Sequence, residues 1–188
     1  MINKFKFIEN FPFKLQDDRA RETVMSIVNI FESDPKMQYY GELAYILATA
    51  YHESAHTFDP GIREIGKGMR RKYGTADPET GQTYYGRGLC QLTWKRNYEV
   101  FSKLLGIDLV NDPDKALETN NSVNILITGM RDGLFTGNKL IMYINKSNTD
   151  YMNARRVVNG TDKAGLIAAH AMKIYEAIES SQLNEEIK

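Results

Sequence analysis

Apolar residues recur at helical spacing through most of the 188-residue sequence. In the segment 17–34 they fall three and four positions apart, and the acidic pair Asp17-Asp18 in front of them favours a helix N-terminus. The same spacing predicts a second helix over about 40–56. Its buried stripe consists of Leu43, Ile46, Leu47, Ala50 and Tyr51. Both helices therefore present an apolar face to a common core.

Turn and capping residues divide the C-terminal half into further helices. Thr93 is the predicted N-cap of one helix, Gly106 and Gly133 follow two periodic segments, and Pro113 suits a first helical turn. The predicted helices cover about 93–105, 112–132, 138–147, 149–158 and 162–179. Since the sequence shows no repeat and no interdomain linker, we expect residues 1–188 to form a single domain.

Two segments lack a helical pattern. Residues 1–16 mix phenylalanine and lysine with Pro12, and we expect an extended arm or a short helix that packs on the body. Residues 57–90 are rich in glycine, and Gln-Thr-Tyr-Tyr at 82–85 predicts a short hairpin turned at 79–81. The predicted fold class is therefore α+β, mainly α, with a small β-hairpin beside the second helix.

Composition and charge narrow the possible partners. The formal net charge is zero, so no overall field draws the chain to nucleic acid or to an anionic membrane. No apolar stretch is long enough for a membrane span, and the N-terminal apolar run is too short for a secretory signal. Cys90 is the only cysteine, which excludes an intrachain disulfide. We expect a protein made in the cytoplasm, with neither a nucleic-acid partner nor membrane insertion.

The candidate chemistry begins at the end of the second helix, where Glu53 stands between His52 and His56. In a His-Glu-x-x-His zinc site, two imidazoles one helical turn apart hold the ion and the glutamate acts as a base. A catalytic zinc ion also needs a third protein ligand. No histidine follows at the usual spacing, which leaves Asp59 and Glu64 as conceivable oxygen ligands. A zinc metallopeptidase is therefore one hypothesis, supported by a five-residue pattern alone.

A pair of carboxylates supports a different hypothesis. Glycoside hydrolysis needs one carboxylic acid to protonate the leaving oxygen and a second carboxylate to activate water or to attack. Glu53 lies at the negative end of a helix dipole and near a buried face, which favours its protonated form. Glu64 lies among basic residues that favour its ionised form, unless it merely belongs to a solvated salt-bridge patch. Those basic residues are Arg63, Lys67, Arg70, Arg71 and Lys72.

The segment 84–97 carries candidate substrate-binding groups. Tyr84 and Tyr85 offer flat faces to sugar rings, and the glycines that flank Arg87 allow close backbone approach. Neutral hydrogen-bonding side chains follow at Gln91, Thr93 and Asn97. Farther along, Arg156 and Asn159 read mainly as the basic last turn and cap of a helix, although the amide could also reach substrate. Such groups suit an oligosaccharide better than a phosphate.

Three of these segments together resemble the family 19 glycoside hydrolases, the chitinase group of the lysozyme superfamily, and more closely its bacteriophage endolysins. The matching pieces are His52-Glu53, the stretch 84–98 and the Val-Val-Asn-Gly of 157–160, within a family-like core of about 41–175. The resemblance implies a lysozyme-like fold, Glu53 as general acid, and a Thr93 hydroxyl that helps to hold the attacking water.

The resemblance also assigns supporting roles. Gln91, Asn97 and Asn159 would line the sugar cleft, and His52 would hydrogen-bond near the site. The two residues expected to tether carboxylates are Arg87 and Arg156. Glu64 is assigned as the second carboxylate from its position and surroundings, because the loop here is short and free of cysteine, and Asp59 is its rival.

The function implied by the resemblance is hydrolysis of β-1,4-glycosidic bonds in peptidoglycan by a phage-type endolysin. A chitinase is the nearest alternative. The family mechanism is inverting, which predicts carboxyl groups about 6.5–9.5 Å apart. It requires no cofactor and no metal. The expected partner is a peptidoglycan glycan strand, met by a monomer that acts on the cell wall after release from the host cytoplasm.

Overall fold

The computed structural model describes residues 1–183. The helices in this part of the chain are α1 (Lys4–Glu9), α2 (Asp18–Ser33), α3 (Tyr40–Glu53), α4 (Lys95–Leu105), α5 (Thr119–Asp132) and α6 (Ala164–Ser180). Short 3-10 turns lie at Lys72–Gly74, Pro113–Leu117, Leu140–Met142 and Asn153–Val157. The regular sheet pairs β1 (Ile144–Asn145) with β2 (Asn148–Thr149) in antiparallel register. The fold is therefore mainly α with a small β element, as the sequence predicts.

Helix α3 forms the centre of the domain. Every residue from Gly41 to Ala50 is buried, so the helix is enclosed all round rather than along one stripe. It packs mainly against α6, and α2, α5 and β1 contact it from other sides. At its N-terminus the buried Glu42 carboxylate accepts the backbone N–H groups of Gln38 and Tyr39 at 3.0 and 3.1 Å. The core thus fixes α3, and with it the position of Glu53.

Helix α3 ends three residues earlier than predicted. Ala55 and His56 adopt left-handed backbone conformations, with φ of 53° and 66°. The hydrogen bonds that follow join residues of the same turn. The Ser54 hydroxyl accepts the N–H of the fully buried Phe58 at 2.8 Å. Because Ser54 and Phe58 stabilise this turn, the helix stops at Glu53, which is its last residue.

The β element lies elsewhere than predicted. Residues 82–85 form no regular strand, and the two-stranded sheet occupies 144–149, where the sequence predicts parts of two helices. Ile144 packs against Gly41, at the end of α3 opposite Glu53. Residues 82–85 instead form an irregular segment, half-buried at 82–83 and buried at 84–85, whose backbone hydrogen bonds reach Tyr73, Asp77 and Trp94. The two short helices predicted after 138 are reduced to single 3-10 turns.

The N-terminal arm docks on the domain itself. Its residues 4–9 form α1, and Ile2 makes an isolated antiparallel bridge with Gln182. Phe13 stacks on Tyr51 of α3 with ring centroids 4.1 Å apart. The arm therefore braces the C-terminal end of the central helix. None of the helices within residues 1–183 is long and apolar enough to cross a membrane.

Candidate active site

A cleft of about 500 Å³ opens at the C-terminal end of α3. Its walls come from that helix, from the irregular segment after it, from the start of α4 and from the turn before α6. The lining residues are Glu53, Glu64, Tyr73, Gly86, Cys90, Gln91, Leu92, Thr93, Trp94, Asn97, Phe135, Val158 and Asn159. Six residues predicted for the site are among them, including both carboxylates and Thr93.

Glu53 is held by a cation. Its side chain is 17% exposed, and Oε1 accepts a 2.7 Å bond from Nη1 of Arg155, which is 4% exposed. Arg155 is anchored in turn by a 3.0 Å bond from its Nε to the carbonyl oxygen of Asp162. The second carboxyl oxygen of Glu53 has no hydrogen-bond partner among residues 1–183. The predicted tether Arg156 is wrong, because Arg156 is exposed and its Nε points to Asn153.

Glu64 is held by neutral donors. Its Oε1 accepts the Tyr73 hydroxyl at 2.9 Å, and its Oε2 accepts the Gly86 N–H at 3.0 Å. The basic cluster predicted around it does not bond to it: Arg63, for example, donates to Asp114 instead. A Cβ on Gly86 would stand 2.8 Å from the Gln91 amide oxygen and 3.3 Å from Cβ of Glu64. The first glycine of the Gly-Arg-Gly motif therefore lets the backbone approach the carboxylate.

The floor between the carboxylates is a tight turn. Thr93 donates its hydroxyl to the Gln91 carbonyl at 2.6 Å, which leaves the hydroxyl lone pairs to accept from a water. Asn97 donates to the Thr93 carbonyl at 2.7 Å, and the Gln91 amide donates to the Gly88 carbonyl at 3.1 Å. Trp94, not Thr93, precedes α4, with φ of 74°. The Thr93 side chain is thus free of the predicted capping role and lies in the cleft.

Three predicted substrate-binding residues are structural. Tyr84 and Tyr85 are 3% and 5% exposed, and the Tyr84 hydroxyl donates to the Val110 carbonyl. Arg87 lies 3.7 Å over the Tyr85 ring and its Nε donates to Asp114 at 2.8 Å, with further bonds to backbone carbonyls. Burial alone would raise the pKa of Asp114, but the bonds from Arg87 and Arg63 lower it below its ordinary value. These residues organise the segment under the cleft rather than contact substrate.

Of the two further residues predicted for the site, one lines the cleft and the other lies outside it. Asn159 is exposed on the cleft wall, and its side chain also accepts the Gly160 N–H at 2.8 Å. Asp59 lies outside the cleft, where it accepts from Gly61 at 2.7 Å and pairs with Arg19 at 3.2 Å. The rival second carboxylate is therefore not placed opposite Glu53.

The family comparison agrees with this geometry. A sequence profile of the family described as "Chitinase class I" matches residues 66–129, which include Tyr73 and the segment from Gly86 to Asn97. Chitinase C from Streptomyces griseus aligns over 95% of this chain and 92% of its own, with a TM-score of 0.64 and 17% identity. The chain resembles the family 19 glycoside hydrolases in local sequence and in fold. The lysozyme-like fold class is confirmed, whereas the closer likeness to phage endolysins stays a prediction.

Sequence similarity to curated family 19 proteins is local. An endochitinase of Arabidopsis thaliana is 43% identical over 74 residues, which are 39% of this chain and 25% of that protein. An inactive chitinase-like protein of Hevea brasiliensis is 53% identical over 34 residues. The chain thus spans about a quarter of the curated relative that it matches over 74 residues. Sequence identity over such short segments does not establish activity, which is therefore inferred from the geometry of the two carboxylates.

The His-Glu-x-x-His motif does not keep zinc-site geometry in this family 19 fold. Because α3 ends at Glu53, His52 and His56 do not lie on successive turns of one helix, and their ring centroids are 6.3 Å apart. His56 stacks on Tyr51 at 4.6 Å and meets His170 edge-on. Within residues 1–183, no three His, Cys, Asp or Glu side chains are grouped to hold a metal ion. The histidines pack with aromatic rings behind Glu53.

Four contributors to the site were missed by sequence reasoning. Tyr73 bonds to Glu64, and Arg155 pairs with Glu53. Trp94, 49% exposed, meets Tyr73 edge-on with ring centroids 5.0 Å apart, and Phe135 lines the opposite part of the cleft. A tyrosine nine residues after Glu64 gives no periodic signal. A tryptophan directly after Thr93 could have indicated a sugar platform, because its ring offers a flat apolar face.

Proposed function

We propose that this protein hydrolyses β-1,4-glycosidic bonds between N-acetylated aminosugars by acid/base catalysis. The observation that carries the proposal is the pair Glu53 and Glu64, which face one cleft with different partners. One has a cation on a single oxygen, and the other has two neutral donors. Two carboxylates in unlike environments are the arrangement that glycoside hydrolysis requires.

Glu53 acts as the acid in this proposal. The oxygen that Arg155 leaves unbonded carries the proton and transfers it to the glycosidic oxygen as the bond to the anomeric carbon breaks. Transfer leaves Glu53 ionised, and Arg155 stabilises the charge that appears at that moment. The ion pair therefore makes proton donation more favourable and holds the carboxyl in one orientation.

Glu64 acts as the base. A water held between Glu64 and the Thr93 hydroxyl attacks the anomeric carbon from the other side and gives its proton to Glu64, so configuration inverts. Hydrogen bonds from Tyr73 and Gly86 hold the carboxylate in one orientation before attack. Each carboxylate oxygen can accept a second bond, so these donors leave room for the water.

The cleft walls suit an uncharged sugar chain. Trp94 and Tyr73 offer aromatic surface, and the amides of Gln91, Asn97 and Asn159 offer donors and acceptors for hydroxyl and N-acetyl groups. Cys90 takes no part, because burial raises the pKa of its thiol and keeps it protonated. Polymers of the chitin type are the primary candidate substrate, since the similar proteins bear the names endochitinase and chitinase.

Peptidoglycan is the second candidate substrate. Its backbone contains the same kind of β-1,4 bond between aminosugars, but it carries peptides with carboxylate groups. One specific observation favours it: exposed basic side chains at 67–72, shortly after Glu64, have no acidic partner among residues 1–183.

The test uses chitin oligosaccharides, with products followed by proton NMR at early times. We expect new reducing ends that first appear as the α-anomer, that are absent with Glu53→Gln, and that persist after treatment with EDTA. New amino termini from a peptide-containing substrate, or loss of activity in EDTA, would instead support the metallopeptidase alternative and overturn the glycosidase.

A further inference from the structure

The loop that follows Glu64 is unusually basic and open. Four cations lie within six residues, all of them exposed, and we call them the cationic strip: Lys67, Arg70, Arg71 and Lys72. Their side chains form neither an ion pair nor a hydrogen bond with any residue among 1–183. Ile65 and Met69, in the same loop, are 100% and 72% exposed. The chain as a whole has zero net charge, so this excess of positive charge is a property of the loop alone.

The backbone of the loop is folded tightly and turns these side chains outward. The Arg71 N–H donates to the Gly68 carbonyl at 2.8 Å, and the Gly74 N–H donates to the Arg71 carbonyl at 3.0 Å. A Cβ on Gly68 would stand 2.8 Å from the Tyr73 ring, so the loop packs directly on the tyrosine that bonds to Glu64. The strip is thus held in a defined place beside the catalytic base.

One member of the strip, Lys72, also borders a second cavity. A space of about 300 Å³ is lined by Lys72, Tyr73, Tyr84, Trp94 and Lys95, together with residues 75–78. Tyr73 and Trp94 line the main cleft as well, so the two spaces are neighbours across this aromatic pair.

The other basic side chains near the strip are neutralised by acidic partners. Lys95 is paired with Asp77 at 3.0 Å and with Glu79 at 2.6 Å. Arg63, just before Glu64, is paired with Asp114. The members of the strip have no such acidic partner among residues 1–183, so the strip is the part of the rim that is free to bind an anion.

We infer that the cationic strip binds carboxylate groups carried by a substrate glycan, so that the enzyme, besides chitin-type polymers, accepts a peptide-bearing aminosugar polymer and favours its acidic form over its neutralised form. The inference rests on the proposed function, because it concerns substrate bound in the same cleft. A neutral chitin chain gives four cations nothing to pair with. A glycan with acidic substituents, bound past Tyr73 and Trp94, would bring its carboxylates alongside the strip.

The experiment compares one cell-wall preparation in two forms: native peptidoglycan, and the same material with its carboxyl groups converted to amides. Binding is measured by co-sedimentation and cleavage by released reducing ends. The test variant is Arg70→Gln/Arg71→Gln/Lys72→Gln. The matched control is Lys6→Gln/Lys103→Gln/Lys146→Gln, which removes three exposed lysines from other parts of the chain. A neutral chitin oligosaccharide serves as the common reference substrate.

We expect wild type to bind and cleave the native wall better than the amidated wall, with the preference weakening as salt rises. The strip variant should lose about tenfold in kcat/KM on native wall, because each exposed charge contact contributes a small factor, and it should change less than about twofold on the chitin oligosaccharide. The control variant should behave as wild type.

The inference is overturned if wild type binds both wall forms equally, or if the strip variant keeps the preference. Failure of the proposed function has a different signature, namely no cleavage of any of the three substrates. Co-sedimentation would still decide the role of the strip in that case, since binding does not depend on turnover.

Discussion

The two carboxylates of the cleft are held by opposite kinds of structure. Glu53 is the last residue of a helix enclosed by the core, and a buried arginine from a distant turn fixes it. Glu64 belongs to an irregular loop, and its partners are a tyrosine hydroxyl nine residues away and a backbone N–H. The first is positioned by packing and an ion pair, the second by neutral hydrogen bonds within its own segment.

This difference teaches how one fold can give two identical side chains different roles. In the proposed mechanism, the cation on one oxygen of Glu53 stabilises the charge that proton donation creates. The neutral donors on both oxygens of Glu64 orient the proposed base and leave it able to accept a proton from water. If this division is correct, changes on the Glu53 side should affect both stability and catalysis, whereas changes on the Glu64 side should affect catalysis alone.

The largest effect is expected from Glu53→Gln. The amide cannot protonate the leaving oxygen, so kcat should fall about 10³-fold while KM changes little, since general acid catalysis is typically worth 10²–10⁴. The measurement is reducing-end release from chitin oligosaccharides. Activity within tenfold of wild type would remove Glu53 from the role of acid.

Arg155→Met should be the most destabilising change on the Glu53 side. Removing the guanidinium of Arg155, which is 4% exposed, leaves Oε1 of Glu53 and the Asp162 carbonyl oxygen without their donor, at a cost of about 3 kcal/mol in the free energy of unfolding. Arg156→Met is the matched control, because the side chain of Arg156 is exposed. This change should cost less than about 0.5 kcal/mol in the free energy of unfolding. Equal losses in urea unfolding of the two variants would contradict the ion pair.

Glu64→Gln should lower kcat about 10²-fold without destabilising the fold. Tyr73 and Gly86 both donate, and the amide oxygen of glutamine can accept from one of them, so the loop keeps part of its bonding. Asp59→Asn is the companion variant and should retain activity, because Asp59 pairs with Arg19 outside the cleft. The opposite result, in which only the Asp59 change is inactive, would make Asp59 the second carboxylate.

The same contrast explains what could be predicted from the sequence. Helices α2, α3 and α6 follow from apolar periodicity, and the position of Glu53 at a helix end follows with them. The segment that carries Glu64 has no period, so its order could be anticipated only from its aromatic content. Its fold depends on pairings such as Arg87 with Asp114, which are 27 residues apart and leave no local pattern.

The residues misassigned from sequence share a physical cause. Tyr84, Tyr85 and Arg87 have side chains able to bind sugar or carboxylate, but the same chemistry serves an internal network, and burial decides between the two uses. Choosing Arg156 over Arg155 was an error of one position in a turn, where adjacent side chains point in different directions. Such choices depend on tertiary contacts that neighbouring residues do not encode.

A smaller effect, confined to catalysis, is expected from Tyr73→Phe. Removing the hydroxyl leaves Glu64 with the Gly86 donor alone, so kcat should fall about fivefold, in line with the loss of one hydrogen bond worth about 1 kcal/mol. KM and the unfolding midpoint should stay close to wild type. Tyr175→Phe, on α6 outside the cleft, is the control and should leave kcat unchanged. A fall in the unfolding midpoint that matches the loss of activity would show that Tyr73 acts on the loop rather than on Glu64.

The smallest predicted effect is a loss of folding stability at acid pH, caused by the two histidines packed behind Glu53. Burial is the main cause that lowers the pKa of His52 and of His170 below the ordinary value near 6.5. At His52 the Glu53 carboxylate opposes this lowering of the pKa, whereas Arg155 and His56 add to it; at His170 the groups that add to it are His56, His52 and Lys173. The buried Nδ1 atoms of both rings have no partner among residues 1–183, so an added proton would find no acceptor.

The sign of the pH dependence follows from these shifts. As pH falls below about 6.5, the unfolded chain takes up protons that the folded histidines resist, so the free energy of unfolding is highest above that pH and falls toward pH 5. His52→Gln/His170→Gln should therefore show a shallower decline than wild type in urea unfolding between pH 7 and pH 5. Since carboxylic acids in general begin to take up protons toward pH 5, the slope between pH 7 and pH 6 is the decisive part. An equal slope there in wild type and variant would mean that the two rings accept protons freely, and that packing behind the acid does not depend on their neutral form.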